Sequence, residues 1–502
     1  MAAPNKIISA LHANWWLNLA GLLLSFAASV VLVRTMPKPL FAQYAAVMAM
    51  IGLTTLIFEA GANSGLTRYL AEAGRRNARG TFFLRMQRRR WLAAAICIVA
   101  LIAFGPIYAS HTDYKILATQ PWIFAAIAAI VTATLVRLLA HYGLLALFET
   151  RTALLIQQGF QIARSASLAA IALLGGNLIH LVIGLFTLTA IEGIIVNRKL
   201  WRIIRSERES VETEFINRAQ KFGLLTILDK ACAMLGSGTV LMLVLGLEHS
   251  VASMALLGLA VDLVGKLVSV TVMPMGNLVA PYLSETSDDP SAQALATGRV
   301  VKLSSLLYCF TIGLGALMLP WFVGTLYGED YRAAAGFALL LLIPTAFENW
   351  VRGSCSPALL RNGRGRDLMR VNLLQAVVTI ATLALVMRQP FEVALIAVGC
   401  ARAFTASLNL VLIRQIVHAR TYLVPLQSIL LATAAAAAAF TLGHLIPTVE
   451  LARAIATGSI FALLFYIGMR WLIFRDADTL CLAHRVVGTR IKPLSRLLPA
   501  LP

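Results

Sequence analysis

The chain has 502 residues, of which 59% are hydrophobic and 13% charged, and its mean hydropathy is +0.79. Soluble domains carry about 25% charged and 45–50% apolar residues, so this composition excludes a soluble enzyme with a conventional core and a disordered chain. The formal net charge of +20 is expected in cytoplasmic loops that face anionic lipid, and not on a surface that binds nucleic acid.

Apolar runs long enough to cross a bilayer recur along the chain. A transmembrane helix needs about 20 mostly apolar residues, and this rule predicts fourteen such helices. They cover roughly 11–33, 43–62, 91–109, 122–147, 157–175, 178–197, 222–246, 252–283, 301–320, 334–351, 371–387, 392–413, 425–445 and 454–473. The sequence therefore predicts an all-α polytopic membrane protein with about 14 transmembrane helices.

Lysine and arginine are distributed unevenly between these helices. They are abundant in the N-terminal segment, the even-numbered loops and the C-terminal tail, and sparse in the odd-numbered loops. Because positively charged loops stay on the cytoplasmic side, both termini are predicted to be cytoplasmic. The arginines of the second loop are interpreted as topology determinants and lipid contacts. They are Arg75, Arg76, Arg79, Arg85, Arg88, Arg89 and Arg90.

Short motifs recur between the two halves of the chain. Tyr69–Glu72 reads Tyr-Leu-Ala-Glu, and Tyr282–Glu285 reads Tyr-Leu-Ser-Glu. Two further pairs repeat at nearly the same offset, Pro106 with Pro320 and Gln161 with Gln375. A duplicated six-helix unit explains this register, and such repeats are typical of transporters.

This repeat predicts the domain organisation. Residues 1–197 form an N-terminal lobe of six helices, and residues 222–413 form a pseudo-symmetric C-terminal lobe of six. A basic cytoplasmic linker at 198–221 joins the lobes, an extra helix pair occupies 414–473, and a basic cytoplasmic tail occupies 474–502.

Sequence signatures of enzymes and tightly bound cofactors are absent. No GxxxxGK[ST] loop occurs, and no loop is long enough for a nucleotide-binding fold, which excludes an ATP-driven pump in one chain. The six cysteines are scattered without a CxxC pair, which argues against a disulfide framework and a zinc site. We therefore expect no enzymatic activity, no metal, no cofactor and no nucleic-acid partner.

Three parts of the chain resemble one family of membrane transporters. Phe58–Gly61 together with Leu66–Glu72 is similar to the end of the second helix in polysaccharide-unit flippases. Leu326–Ala334 is similar to the loop after their ninth helix, and Arg34–Phe41 to their first loop. Over about residues 10–415 the chain resembles the polysaccharide-transporter branch of the multidrug/oligosaccharidyl-lipid/polysaccharide exporter superfamily. It is also similar to lipid II flippases.

The resemblance implies two six-helix lobes around a V-shaped cavity and transport by alternating access. The implied cargo is a polyprenyl-diphosphate-linked oligosaccharide, flipped from the inner to the outer leaflet of the bacterial inner membrane. Such a cargo serves export of a surface polysaccharide, for example an O-antigen or an exopolysaccharide. The implied partners are this lipid, membrane lipids, a polysaccharide polymerase and a chain-length regulator.

Cations within the predicted helices are candidates for binding the diphosphate, because arginine holds phosphate bidentately. The candidates are Arg137, Arg402, Lys230 and Lys266. A charge at mid-bilayer costs at least about 2.5–3.5 kcal/mol, so each needs a partner or a function. Arg137 and Arg402 have no acid one turn away. The alternative for both is an ion pair with an acid on another helix, such as Glu348, Asp229 or Asp262.

Asn14 and Asn18 begin a polar stripe on the first predicted helix, which continues with Ser25 and Ser29. A polar stripe within a membrane faces protein or water and not lipid. The two asparagines are therefore candidates for hydrogen bonding to sugar hydroxyls, with close helix packing as the alternative.

Acidic residues within the helices are candidates for coupling transport to protons or sodium ions. They are Asp229, Asp262 and Glu348. Asp262 precedes Lys266 by four residues, and Glu348 precedes Arg352 by four, so an ion pair within one helix is the alternative for both.

Three charged residues at the cytoplasmic ends of helices are candidates for a cytoplasmic gate: Glu59, Arg68 and Arg151. Extension of their long side chains to the lipid headgroups is the alternative. At the level of function, a cation-coupled multidrug exporter of the same superfamily and a membrane O-antigen ligase or polymerase are the alternatives to a flippase.

Overall fold

The computed structural model describes residues 20–59, 62–112, 117, 119–120, 122–147, 149–235, 237–285, 290–362, 364–414, 416, 423–445 and 450–472. These described residues contain helices and no strand. The α-helices in them are α1 (Ala20–Thr35), α2 (Lys38–Glu59), α3 (Ala62–Gly74), α4 (Arg79–Ser110), α5 (Trp122–Ala146), α6 (Thr150–Leu173), α7 (Leu178–Ile204), α8 (Thr213–Leu235), α9 (Gly238–Leu245), α10 (Val251–Glu285), α11 (Pro290–Tyr327), α12 (Ala334–Arg361), α13 (Gly365–Val386), α14 (Phe391–Ile413), α15 (Leu423–His444) and α16 (Glu450–Leu472).

Eleven helices in the described ranges are long and apolar enough to cross a membrane. They are α2, α4, α5, α7 and each helix from α10 to α16. The prediction of an all-α polytopic membrane protein is therefore confirmed, and this is a multi-pass membrane protein. The number of fourteen crossings is not confirmed and stays a prediction.

The three remaining predicted spans coincide with helices that are short, polar or interrupted. Helix α1 is apolar, but its described part is short. Helix α6 carries several polar side chains, Gln157, Gln158, Gln161 and Arg164. The seventh predicted span is divided into α8 and α9, and the Ser237 hydroxyl caps α9 by accepting from the main-chain N–H of Val240 at 3.5 Å.

The chain divides into two compact units, Met1–Gly258 and Leu259–Pro502. Within the first unit α5 packs closely on α7, and α7 packs on α6. Within the second unit α12 packs closely on α14, and α14 packs on α13. The predicted limits of the lobes, linker, helix pair and tail stay predictions, and the predicted tail lies outside the described residues.

The basic segment after α7 is packed against the start of α4 in the first unit. Arg79 forms an ion pair with Glu207 at 2.8 Å, and the main-chain N–H of Gly80 donates to the Glu207 carbonyl at 2.9 Å. Phe82 and Phe215 join a buried apolar cluster beneath this contact. The segment is therefore attached to the first unit along its length.

Arg90 on α4 has a different role from the lipid contact predicted for it. The side chain is 2% exposed. Its Nη1 donates to the carbonyls of Phe58 at 3.1 Å and Glu59 at 2.5 Å, and its Nη2 donates to Asn63 Oδ1 at 2.8 Å. Because the last carbonyls of a helix lack partners within it, Arg90 satisfies the end of α2 where the chain continues into α3. The lipid-contact interpretation of Arg90 is therefore wrong.

The last two helices pack on α11 within the second unit. The Phe310 ring of α11 has its centroid 5.7 Å from that of Phe461 and 5.6 Å from that of Phe465, both on α16. Ala435 and Ala439 of α15 are buried, so the small side chains of this helix permit close packing.

A tight turn joins α11 to α12 at the segment that resembles the flippase loop. Gly328 has φ +97°, a left-handed conformation that glycine adopts without strain. A short 3-10 helix, Glu329–Tyr331, follows and buries Tyr331. Burial and the neighbouring Asp330 carboxylate raise the pKa of Tyr331 to about 12, so this residue is a neutral anchor of the turn.

Candidate functional site

An ionic cluster lies about midway along three packed helices of the first unit. Glu192 on α7 is 1% exposed. Its Oε2 accepts a hydrogen bond from Arg137 Nη1 on α5 at 2.9 Å and another from Arg164 Nη1 on α6. We call Arg137, Arg164 and Glu192 the first cluster. One buried carboxylate thus holds two guanidinium groups from two different helices.

Helix α5 packs closely on α7 at this cluster, where Gly193 of α7 lies against α5. A Cβ added at Gly193 would lie 3.5 Å from Arg137 Cβ and 3.7 Å from the Ala133 carbonyl oxygen. These are ordinary van der Waals distances, and this contact between the helices brings the Arg137 side chain to the carboxylate of Glu192, the residue before Gly193.

A second ionic cluster lies midway along three packed helices of the second unit. Glu348 on α12 accepts from Arg402 on α14, through Nε at 2.9 Å and Nη2 at 2.5 Å. Its other oxygen, Oε1, accepts from Gln375 Nε2 on α13 at 2.9 Å and lies 3.0 Å from Arg352 Nε. We call Glu348, Arg352, Gln375 and Arg402 the second cluster.

The two clusters share their composition and their position along the helices. Each combines one glutamate with two arginines, and each lies near the middle of its helices. With all three groups ionised, each cluster carries one net positive charge. Pairing lowers the cost of burying these charges, but one cation in each cluster is left without a matching acid among the described residues.

Both predicted arginines are ion-paired. Arg402 contacts Glu348, which is the interhelical alternative that the sequence left open. Arg137 contacts Glu192, which is also an acid on another helix but is not one of the three acids that the sequence offered as examples. The physical reason is that α5 packs on α7, which places an acid on the adjacent helix within reach.

The two predicted pairs within single helices are present. Lys266 Nζ lies 2.5 Å from Asp262 Oδ2 on α10, and Arg352 lies 3.0 Å from Glu348 on α12. Lys266 is thus engaged with Asp262, and its assignment to the cargo stays a prediction.

Five of the predicted site residues have side chains that the structure does not describe. Asn14 and Asn18 are outside the described residues, and the side chains of Asp229, Lys230 and Arg68 are not described.

The predicted gate residues Glu59 and Arg151 have contrasting environments. Glu59 is buried and its carbonyl accepts from Arg90, whereas Arg151 is exposed at the start of α6. The gate stays a prediction.

Sequence reasoning missed Glu192 and Arg164. Glu192 lies inside the sixth predicted span and Arg164 inside the fifth. A charged residue within an apolar segment is itself a signal of a functional site, and this signal could have identified both. Within the described ranges, no group of three His, Cys, Asp or Glu side chains is placed to hold a metal ion.

The family model described as "polysaccharide biosynthesis protein" matches residues 13–287, more than half of the chain. The chain belongs to the polysaccharide biosynthesis protein family. The match includes Arg34–Phe41 and Phe58–Glu72, two of the three segments through which the sequence resembles polysaccharide-unit flippases. The matched region of this family member includes α5, α6 and α7 and therefore the whole first cluster.

Solved structures of membrane transporters share the fold of this family member. The lipid II flippase MurJ, in an inward closed conformation, has a TM-score of 0.72 at 11% identity, with 92% of this chain and 99% of that chain covered.

An inward-facing multidrug resistance MATE family transporter of the MOP superfamily has a TM-score of 0.60 at 11% identity, with 82% and 98% covered. A MOP superfamily transporter from Pyrococcus furiosus has a TM-score of 0.54 at 13% identity, with 84% and 96% covered. No curated protein matches the sequence.

Proposed function

We propose that this protein is a flippase that moves a polyprenyl-diphosphate-linked oligosaccharide from the inner to the outer leaflet of the bacterial inner membrane by alternating access. Membership of the polysaccharide biosynthesis family supports a role in making a surface polysaccharide, such as an O-antigen or an exopolysaccharide. The fold shared with the lipid II flippase MurJ supports movement of a lipid-linked cargo. On this proposal the protein is not an enzyme, because no bond of the cargo changes.

The observation that carries the proposal is the positive charge midway along the helices of both units. Each cluster holds two arginines on one glutamate. An uncompensated charge at this depth is costly and marks a transport pathway by default. A diphosphate is anionic and matches arginine in geometry, so a diphosphate lipid is a cargo that compensates the charge.

Asp229 and Asp262 stay the proposed sites for coupling to protons or sodium ions. Glu348 fits this role less well, since Arg402 and Gln375 already donate to its two oxygens. A cation at Glu348 would have to displace these donors.

A cation-coupled multidrug exporter is the alternative function, supported by the fold shared with a multidrug resistance MATE family transporter. Cationic drugs favour acidic binding sites, whereas both clusters have the opposite net charge. A ligase or polymerase ranks below both, because the predicted topology has no long outer loop to form a catalytic face. A polymerase and a chain-length regulator are instead proposed as partners that use the flipped cargo.

The deciding experiment is mass spectrometry of polyprenyl-diphosphate lipids, combined with a membrane-impermeant label that distinguishes the two leaflets. A strain lacking the protein is expected to accumulate a lipid-linked oligosaccharide in the inner leaflet, and the wild-type protein is expected to restore its normal level. A deletion strain with unchanged lipids and increased drug sensitivity would instead support the multidrug exporter.

A further inference from the structure

The two clusters differ in how many of their hydrogen-bond donors are occupied. In the second cluster Arg402 uses Nε and Nη2 on Glu348 and Nη1 on Thr345, and its side chain is 4% exposed. In the first cluster, as far as the structure describes it, Arg137 and Arg164 each donate through Nη1 alone. Because a guanidinium has five N–H donors, the first cluster keeps most of its donors free for a ligand.

Two nitrogen atoms beside the first cluster are buried without a hydrogen-bond partner. They are Arg137 Nε and, one turn further along α5, His141 Nδ1. The His141 side chain is buried as well. Buried polar groups normally have partners, so these two nitrogens are available to a ligand; the second cluster has one such atom, Arg352 Nε. The side chains of Arg137 and Arg164 keep 16% and 17% exposure, so a ligand can reach them.

The charges point to the same chemistry. Both guanidinium groups approach one oxygen of Glu192, so they repel each other at short range, and a second anion beside them relieves this repulsion. Two arginine forks match the oxygens of a phosphate group. In the second cluster the Gln375 amide and the Thr345 hydroxyl complete the hydrogen bonding instead.

We propose that Arg137 and Arg164 form a binding site for a phosphate or diphosphate group within the first unit, with Glu192 as the positioning residue that holds them together. This inference rests on the proposed function and assigns Arg164 to the cargo. Arg402, by contrast, already uses Nε and Nη2 on Glu348 and so joins α14 to α12.

The test measures binding of two probes, polyprenyl diphosphate and inorganic pyrophosphate, to the full-length protein in lipid nanodiscs. Arg164→Ala is expected to weaken binding about tenfold to a hundredfold, the loss of one charge-assisted contact. Arg164→Lys is expected to weaken binding less, because lysine keeps the positive charge but lacks the planar guanidinium that donates two parallel hydrogen bonds. Arg202→Ala removes the same charge from the exposed end of α7 and is expected to leave binding unchanged.

The role of Glu192 has its own readout. The wild-type protein is expected to bind inorganic pyrophosphate more tightly than inorganic monophosphate. Glu192→Gln is expected to reduce this preference, because the two guanidinium groups move apart without the carboxylate between them. Glu192→Asp is expected to retain that preference. Equal preferences in all three proteins would overturn the positioning role.

The outcomes separate the site from the function. If Arg164→Ala binds both probes more weakly, the site recognises the diphosphate group itself. If it binds only polyprenyl diphosphate more weakly, the site recognises a diphosphate only when it is the headgroup of a lipid. Unchanged binding by Arg164→Lys and by folded Arg164→Ala would overturn the site and leave the flippase function standing. A wild-type protein that binds neither probe would overturn the site, and accumulation of the lipid in the deletion strain would still decide the function.

Discussion

At the scale of single residues, the partner on another helix determines what each charge in the membrane does. Arg137 and Glu192 are 55 residues apart in the sequence, and Arg402 and Glu348 are 54 apart. The acid follows the arginine in the first pair and precedes it in the second. The two clusters therefore have the same net charge, although the acid lies on the last of the three packed helices in the first unit and on the first of the three in the second unit.

Arg90 gives a prediction at this scale. Arg90→Ala removes hydrogen bonds to the Phe58 and Glu59 carbonyls and to Asn63 and leaves the end of α2 without partners. The expected loss of stability is about 2–4 kcal/mol, measured as a lower thermal unfolding temperature in detergent.

The matched control for Arg90 is Arg88, which lies on the same helix and is exposed. Arg88→Ala makes the same change of charge and is expected to alter stability by no more than about 0.5 kcal/mol. Equal effects of the two substitutions would show that charge, and not the contact with α2, matters here.

At the scale of helices, two of the polar residues that make α6 a weak candidate for a membrane span, Gln158 and Arg164, lie against neighbouring helices. Arg164 donates to Glu192, and a Cβ added at Gly21 of α1 would lie 3.2 Å from Gln158 Oε1. One side of α6 thus faces α1 and α7. A helix enclosed in this way tolerates polar side chains that lipid would reject.

A second prediction concerns the contact between α4 and the segment after α7. A Cβ at Gly80 would lie 2.7 Å from the Glu207 carbonyl oxygen and 2.8 Å from that of Ile204. Both are backbone atoms, so Gly80→Ala is expected to separate the two segments and lower the free energy of unfolding by about 1–3 kcal/mol. Thermal unfolding of the purified protein measures the loss.

Gly159 on α6 is the control for this substitution. No atom lies within 4 Å of a Cβ added there, and alanine favours a helix over glycine by about 0.5–1 kcal/mol. Gly159→Ala is therefore expected to leave stability unchanged or to raise it slightly. A loss as large as that of Gly80→Ala would contradict the steric explanation.

At the scale of the whole molecule, the distribution of lysine and arginine predicts an even number of crossings with both termini in the cytoplasm. Eleven of the described helices meet the criteria for a span, so the predicted total of fourteen requires that α1, α6 and the α8–α9 pair also cross. A green fluorescent protein fused after Pro502 is expected to fluoresce, and alkaline phosphatase at the same position is expected to be inactive.

A control fusion after Gln389, between α13 and α14, is predicted to lie on the outer side and to give the opposite result. Active phosphatase after Pro502 would mean an odd number of crossings. At least one of the three weak spans would then lie within the protein or at the interface without crossing.

The sequence by itself determined the class of protein, the approximate positions of its long apolar helices and the resemblance to a family. These properties depend on the hydropathy of continuous segments and on short loop motifs, which are local. Only the tertiary structure decided which charges meet, because Arg137 reaches Glu192, and Arg402 reaches Glu348, through the packing of helices distant in sequence. Similarly, Arg88 and Arg90 are equivalent in a run of arginines, and only the rotation of α4 against the end of α2 exposes one and buries the other.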